Sequence, residues 1–143
     1  LLRLNPASID IDIRLREYVP WPPYATVLKC RFGPLSPALL PHAEAAYPSA
    51  AELRHRLLQL KEKWTALVAG LRSIVQPAHA IKADLQAGGA PVTFAQIGVD
   101  PDRALQALLY SKDIRARYTV LHLCDELGVL PQWSKIILAK FGQ

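Results

Sequence analysis

The chain has 143 residues, of which 51% are hydrophobic and 20% charged, so it fits one globular domain and not a disordered segment. Its apolar runs are too short to span a bilayer and no secretory signal opens it, which predicts a cytoplasmic protein with no membrane partner. The net charge of +5 permits an anionic partner. The basic residues form short scattered pairs rather than one block, so nucleic acid is not the expected partner.

Residues 1–48 are predicted to form an N-terminal extended or β arm. Residues 9–16 alternate apolar and charged side chains with a period of two, which is typical of a half-buried strand, and residues 24–32 are a second β-rich run. A proline-rich linker, residues 19–23, separates them. The pattern predicts a two-stranded ribbon that packs on the rest of the chain. Pro34, Pro37 and Pro41 then predict a loop-rich connection.

Residues 49–143 are predicted to form a bundle of five to six helices, so the fold class is mainly α. Ser49 and Glu52 have the spacing of a capping box at the start of the first of these helices. Leucine, valine and tryptophan side chains then recur at steps of three and four residues from Leu53 to Leu71. Gln76-Pro77 ends this helix, because the residue before a proline avoids helical angles.

Capping residues, glycines and prolines predict where the remaining helices begin and end. Gly88 and Gly89 stop the helix that follows Pro77, and Thr93 with Gln96 caps a short one. Asp100 caps the next helix, with Pro101 in its first turn. A further helix stops at Gly128, and Pro131 begins the last one.

No set of residues in the sequence predicts a catalytic constellation, so no catalytic residue is assigned. His42, His55, His79 and His122 lack the spacing of a metal site, and the last of them is predicted to lie on a helix surface. No glycine-rich phosphate loop is present. The two cysteines, Cys30 and Cys124, predict buried reduced thiols rather than a disulfide framework.

Arg115 and Arg117 are the most suggestive polar pair. Two residues apart on a helix, their side chains point in different directions. One interpretation is contact with a substrate or cofactor phosphate, which arginine binds in a bidentate manner. The other is structural ion pairing with Asp113 or Asp125 that fixes the joint between two helices. Both interpretations stay open at this point.

Residues 104–130 resemble the helical end of one enzyme family. This family is the sn-glycerol-1-phosphate dehydrogenases, a branch of the iron-containing alcohol dehydrogenase and dehydroquinate synthase-like superfamily. In its members the corresponding run resembles the pattern AL-Y---IR-RYTVL-L--ELG-L. Residues 85–99 are similar to the family's L--AGAP-T---IG segment, and Trp64 falls where the family has a helix with a tryptophan. The two segments occur in the right order and separation, so the resemblance extends over residues 50–130.

The resemblance implies a C-terminal helical domain that packs on the nucleotide-binding domain of a parent enzyme and lines its substrate cleft. In that family a divalent metal, zinc or nickel, is held by one Asp and two His and polarises the carbonyl of dihydroxyacetone phosphate, which accepts hydride from NAD(P)H. Neither the nucleotide-binding half nor the metal-binding histidine motifs occur here. No metal ligand therefore carries over, no cofactor is expected in this chain, and the isolated chain is expected to be inactive.

Two origins are compatible with these observations. The chain begins at Leu1 and contains no Met, which predicts a processed start or a fragment boundary. Alternatively, it is a stand-alone helical protein-interaction module that lacks the enzyme half, with Trp21 or Trp133 as exposed contacts. A lone cleft wall exposes apolar surface, so a homodimer is a possible assembly.

Overall fold

The computed structural model describes residues 2 and 4–141, and eight α-helices account for most of them. The helices span Ile11–Arg16 (α1), Trp21–Phe32 (α2), Ser36–Ala46 (α3), Ala50–Ile74 (α4), Ala78–Ala87 (α5), Pro101–Tyr110 (α6), Val120–Glu126 (α7) and Leu130–Phe141 (α8). Short 3-10 turns lie between several of them. The predicted mainly α fold is confirmed, and five of the described α-helices follow residue 48.

The predicted N-terminal β-ribbon is wrong, because both of its runs are helical and no strand occurs among the described residues. Asp10 begins α1, where its carboxylate accepts the backbone N–H of Ile13 at 2.9 Å. Ile11 and Leu15 pack against the core, whereas Ile13 is exposed. A helix of six residues is shorter than two turns, so its half-buried residues, four positions apart, also fit the period-two alternation of a strand.

The proline-rich segments that predicted linkers and loops also lie in helices. Pro22 and Pro23 occupy the first turn of α2, where a missing backbone N–H breaks no helical hydrogen bond. Gly33 ends that helix with a φ of 50°, and Pro41 lies inside α3. The helix α2 packs against α3 through its buried face. Residues 1–48 therefore do not form an extended arm in their described part.

The hydrophobic core lies along one face of the long helix α4. Its buried residues are Ile9, Leu53, Leu57, Trp64, Val68 and Leu127. The indole N–H of Trp64 donates to the carbonyl of Leu4 at 3.2 Å, and Lys61 donates to the carbonyl of Ile9 at 3.1 Å. Residues from both sides of position 48 thus share one core. Among the described helices, none has the length and apolar character needed to cross a membrane.

The capping box predicted at the start of α4 is confirmed, and it gives a testable contribution to stability. The Ser49 hydroxyl accepts the N–H of Glu52 at 3.2 Å, and the Glu52 carboxylate accepts the N–H of Ser49 at 2.7 Å. Ser49→Ala is expected to lower the free energy of unfolding by about 1 kcal/mol, measured by urea denaturation. Ser49→Thr keeps the capping oxygen and is expected to cost less. Equal losses in the two variants would contradict the capping role.

Candidate functional site

A cavity of about 290 Å³ lies where α2, α3 and α7 meet the turn that follows α6. One wall is aromatic and apolar and comes from residues 18–53. The opposite wall is charged and comes mainly from residues 112–126, the central part of the run that resembles the dehydrogenase family. The principal lining residues are Arg14, Glu17, Tyr18, Tyr24, Tyr47, Lys112, Asp113, His122, Asp125 and Glu126.

Lys112 is the buried centre of the charged wall, with 3% of its side chain exposed. Its ammonium lies 3.1 Å from Asp113 Oδ1 and 3.2 Å from Asp125 Oδ2, and donates to the Tyr24 hydroxyl at 2.7 Å. The Tyr24 hydroxyl in turn donates to Asp113 Oδ2 at 2.7 Å. Burial and the nearby Asp113 carboxylate raise the pKa of Tyr24, so the phenol stays protonated. Lys112 therefore has its three hydrogen-bond donors occupied by the protein itself.

Arg14 of α1 binds the carboxyl end of α7. Its Nε donates to the carbonyl of Glu126 at 3.0 Å, and its Nη2 donates to the carbonyl of Asp125 at 2.9 Å. Its Nη1 pairs with Glu17 at 3.1 Å. The last carbonyls of a helix lack partners inside the helix and carry partial negative charge. The Arg14 guanidinium therefore caps α7 and fixes the position of Asp125.

Glu126 is buried and is held by two partners from different parts of the chain. Its Oε1 lies 2.7 Å from the Arg56 guanidinium of α4, and its Oε2 accepts the Tyr118 hydroxyl at 2.9 Å. Burial, together with the Glu126 carboxylate, raises the pKa of Tyr118. These two bonds tie the segment before α7 to the core helix.

His122 is buried at the start of α7, so its predicted position on a helix surface is wrong. Its Nδ1 accepts the backbone N–H of Thr119 at 3.1 Å, and its ring stacks on Tyr118 with 5.5 Å between the ring centroids. The histidine thus caps α7. Burial lowers the pKa of His122, and the Lys112 charge lowers it further.

The lowered pKa of His122 predicts a pH dependence of stability. Between the folded pKa and the ordinary value near 6.5, the unfolded chain binds more protons, so stability falls as the pH falls below about 6.5. Between pH 7 and pH 5 this component is expected to lower the free energy of unfolding by less than about 2 kcal/mol, the limit set by the unfolded pKa alone, as measured by urea denaturation. His122→Gln is expected to remove this component, and His55→Gln, at an exposed position of α4, is expected to keep it. If the free energy of unfolding of His122→Gln depends on pH as it does in the unsubstituted chain, the prediction is contradicted.

The predicted pair of buried thiols is half wrong. Both cysteines are free, but Cys30 is exposed and only Cys124 is buried. Burial raises the pKa of the Cys124 thiol, which keeps it protonated and poorly nucleophilic.

Arg115 and Arg117 lie in an exposed, non-helical segment between the 3-10 turn Ser111–Ile114 and α7, so their predicted placement on a helix is wrong. Neither residue lines the cavity. The ion pairs with Asp113 or Asp125 that were one interpretation are not formed in the described residues, because Lys112 takes both carboxylates. Contact with a phosphate stays a prediction.

The residues do not fit the metal that the resemblance implies for a full-length enzyme. Over residues 2 and 4–141, no group of three or more His, Cys, Asp and Glu side chains is placed to hold a metal ion. The described helices also include no strand–turn–helix unit of the kind that cradles nucleotide phosphates. No step through a metal or a nicotinamide is therefore assigned to this chain.

The sequence did not identify the polar residues that the fold brings together. Lys112 and Asp113 are neighbours in a polar Ser-Lys-Asp segment that suggests no special role. Tyr24 lies 88 positions before Lys112, to which it is bonded. The resemblance gave no signal for them either, because Lys112 and Asp113 fall at positions that its motif leaves unspecified. No protein-family model, curated protein sequence or solved structure significantly matches the chain. The resemblance therefore stays a prediction.

Proposed function

We propose that the chain is the helical C-terminal domain of a metal- and NAD(P)-dependent oxidoreductase similar to the sn-glycerol-1-phosphate dehydrogenases, and that it lines the substrate cleft. The proposal is supported by the resemblance of the run 104–130, which folds so that Glu126, one of the residues that match the family, lies in the charged part of the cavity lining. Burying ionised side chains is expensive, and such groups are often concentrated at functional sites. The nucleotide-binding domain of the parent enzyme would supply NAD(P) and the metal.

In this proposal Arg115 and Arg117 bind the phosphate of the substrate. Both are exposed, and no ion pair among the described residues engages either of them. The segment that carries them connects the buried Asp113 to Tyr118, which bonds Glu126, so both of its ends are anchored at the cavity wall. Two free guanidinium groups on an anchored segment suit a phosphate monoester.

The decisive experiment examines the protein made in the source cells. An antibody against the chain is used to purify the native product, whose mass and NAD(P)H oxidation with dihydroxyacetone phosphate and Zn²⁺ or Ni²⁺ are measured. We expect a polypeptide longer than 143 residues that is active, and no turnover by the isolated chain. A native product of 143 residues, or turnover by the chain alone, would overturn the proposal. In the active product, Arg115→Ala with Arg117→Ala is expected to raise KM at least about tenfold, and Arg54→Ala to leave it unchanged.

The second candidate is a stand-alone interaction module that forms a homodimer through its exposed apolar surface. The helix α5 buries no residue, and Ile81 and Leu85 on it are both 43% exposed. Nearby in sequence, Ile74 is 74% exposed. Trp21 is half-buried against Tyr47 rather than a free contact. Sedimentation velocity decides this candidate: a dimer that Leu85→Lys dissociates favours it, and a monomer at high concentration removes it.

A further inference from the structure

The cavity carries an excess of negative charge although the whole chain has a net charge of +5. Its lining contains four carboxylates but only two cationic side chains, those of Arg14 and Lys112. Arg14 pairs with Glu17, and Arg56 reaches in from outside the lining to pair with Glu126. Lys112 is shared by two aspartates. The described ion pairs therefore leave one carboxylate charge uncompensated.

The uncompensated charge is on Asp125. The side chain of Asp113 is 4% exposed, and both of its oxygens already accept hydrogen bonds. The side chain of Asp125 is 44% exposed, and only its Oδ2 contacts Lys112 among the described cations. The lowered pKa of His122 keeps that ring neutral near pH 7, so it adds no positive charge.

The lining also contains tyrosine rings whose hydroxyl groups are occupied by backbone carbonyls of other lining residues. Tyr18 donates to the carbonyl of Pro48 at 3.0 Å, and Tyr47 donates to the carbonyl of Val19 at 2.6 Å. The centroids of these two rings are 6.1 Å apart. The occupied hydroxyls hold both residues in place. The Tyr47 ring is stacked on Tyr24 with the centroids 4.7 Å apart and contacts Trp21 at 5.4 Å, so Tyr18 is the less covered ring in the lining. Inside the same site, the Lys112 ammonium already lies 4.9 Å from the centroid of the Tyr24 ring.

We propose that this cavity binds a small alkylammonium cation between the Asp125 carboxylate and the Tyr18 ring. Aromatic faces attract cations through the quadrupole of the ring, and a nearby carboxylate supplies the counter-charge. The volume of about 290 Å³ lies at the lower end of small-molecule sites, which suits a ligand of few heavy atoms. This inference does not depend on the proposed oxidoreductase function, whose phosphate contacts lie outside the cavity.

Calorimetric titration of the whole chain with choline tests the charge requirement. The control ligand is 3,3-dimethyl-1-butanol, which has the shape of choline without its charge. We expect saturable binding of choline and binding of the neutral analogue at least about tenfold weaker. Equal affinities, or no saturable choline binding, would overturn the proposal. Displacement of choline by inorganic phosphate at constant ionic strength would also overturn it, because it would reveal an anion site.

Matched variants test the two walls of the cavity. Asp125→Asn is expected to weaken choline binding at least about tenfold, whereas Asp84→Asn, an exposed position on α5, is expected to leave it unchanged. Asp125→Asn also removes an ion pair of Lys112, so a second pair of variants is placed at Tyr18, which takes part in none of the described ion pairs. Tyr18→Leu removes the aromatic ring and Tyr18→Phe keeps it. Loss of binding in Tyr18→Leu alone supports the proposal, and equal binding by both Tyr18 variants overturns it.

The cation has two possible sources, a free amine or a lysine side chain of another protein. Nα-acetyl-Nε-trimethyl-lysine methylamide is the probe for the second source. Tighter binding of this amide than of choline assigns the site to a modified lysine. Tighter binding of choline assigns it to a free metabolite. Failure of both ligands overturns the inference and leaves the dehydrogenase proposal to its own experiment.

Discussion

Gly128→Ala is expected to lower the free energy of unfolding by about 3 kcal/mol, because two separate constraints require glycine there. The backbone has a φ of 75°, a left-handed conformation that costs an ordinary residue about 1–2 kcal/mol. A Cβ at this position would also lie 2.6 Å from Cδ and 2.8 Å from Nε of Arg14. The arginine side chain can move aside only by giving up its bonds to the carbonyls of Asp125 and Glu126.

A matched control separates the two constraints. Gly89 has a φ of 69°, and a Cβ built there meets nothing within 4 Å. Gly89→Ala is therefore expected to cost only the backbone component, about 1 kcal/mol. In an Arg14→Ala background, the cost of Gly128→Ala is expected to fall to that same value. Urea denaturation of the four proteins of the cycle measures the coupling. Equal costs of Gly128→Ala with and without Arg14 would contradict the proposed contact.

The capping and stop residues correctly predicted where several helices begin or end. The capping boxes at Ser49 and Thr93, the aspartate cap at Asp100 and the left-handed stop at Gly128 all have the predicted geometry. Each is specified by residues within about four positions, so no knowledge of the fold is needed to recognise it. The boundaries of α4 and α6 follow from them.

The N-terminal region was misjudged because short elements give ambiguous patterns. Ile11, Ile13 and Leu15 fit a strand by alternation, but tertiary packing buries only the first and last of them on a helix. The prolines of residues 19–23 predict a linker, but Pro22 and Pro23 fall in the first turn of α2, where no backbone N–H is needed. For α1 the outcome depends on contacts with α4, which is far away in the sequence, whereas α2 is held by its packing on α3.

The cavity was beyond prediction for a related reason. The Tyr24–Lys112 and Arg14–Glu126 bonds join residues 88 and 112 positions apart. Nothing in either local segment encodes the other, and a Lys-Asp pair in a polar turn is ordinarily solvated. Both side chains of the 3-10 turn Ser111–Ile114 are buried because α3 and α6 pack on that turn and Tyr24 of α2 bonds to both of them.

Lys112→Met is expected to cost about 3–5 kcal/mol, the largest effect of any single substitution considered for this protein. The methionine fills the space of the lysine stem but leaves the buried Asp113 carboxylate without its cation. Tyr24 alone then donates to that carboxylate, which does not offset the loss of solvation. Asp125 is affected less, because it is 44% exposed and water can solvate it.

The double variant Lys112→Met with Asp113→Asn tests whether the unpaired Asp113 carboxylate causes the loss of stability. Asparagine keeps an acceptor for the Tyr24 hydroxyl and carries no charge, so the double variant is expected to be more stable than Lys112→Met alone. Lys63→Met, at an exposed position of α4, is expected to stay within about 0.5 kcal/mol of the unsubstituted chain. Urea denaturation at pH 7 measures all three variants. If the double variant is no more stable than Lys112→Met, the loss comes from packing rather than charge. If the double variant is as stable as the unsubstituted chain, the Lys112–Asp113 ion pair adds no net stability, and this result would favour a role for these charges in the function of the cavity.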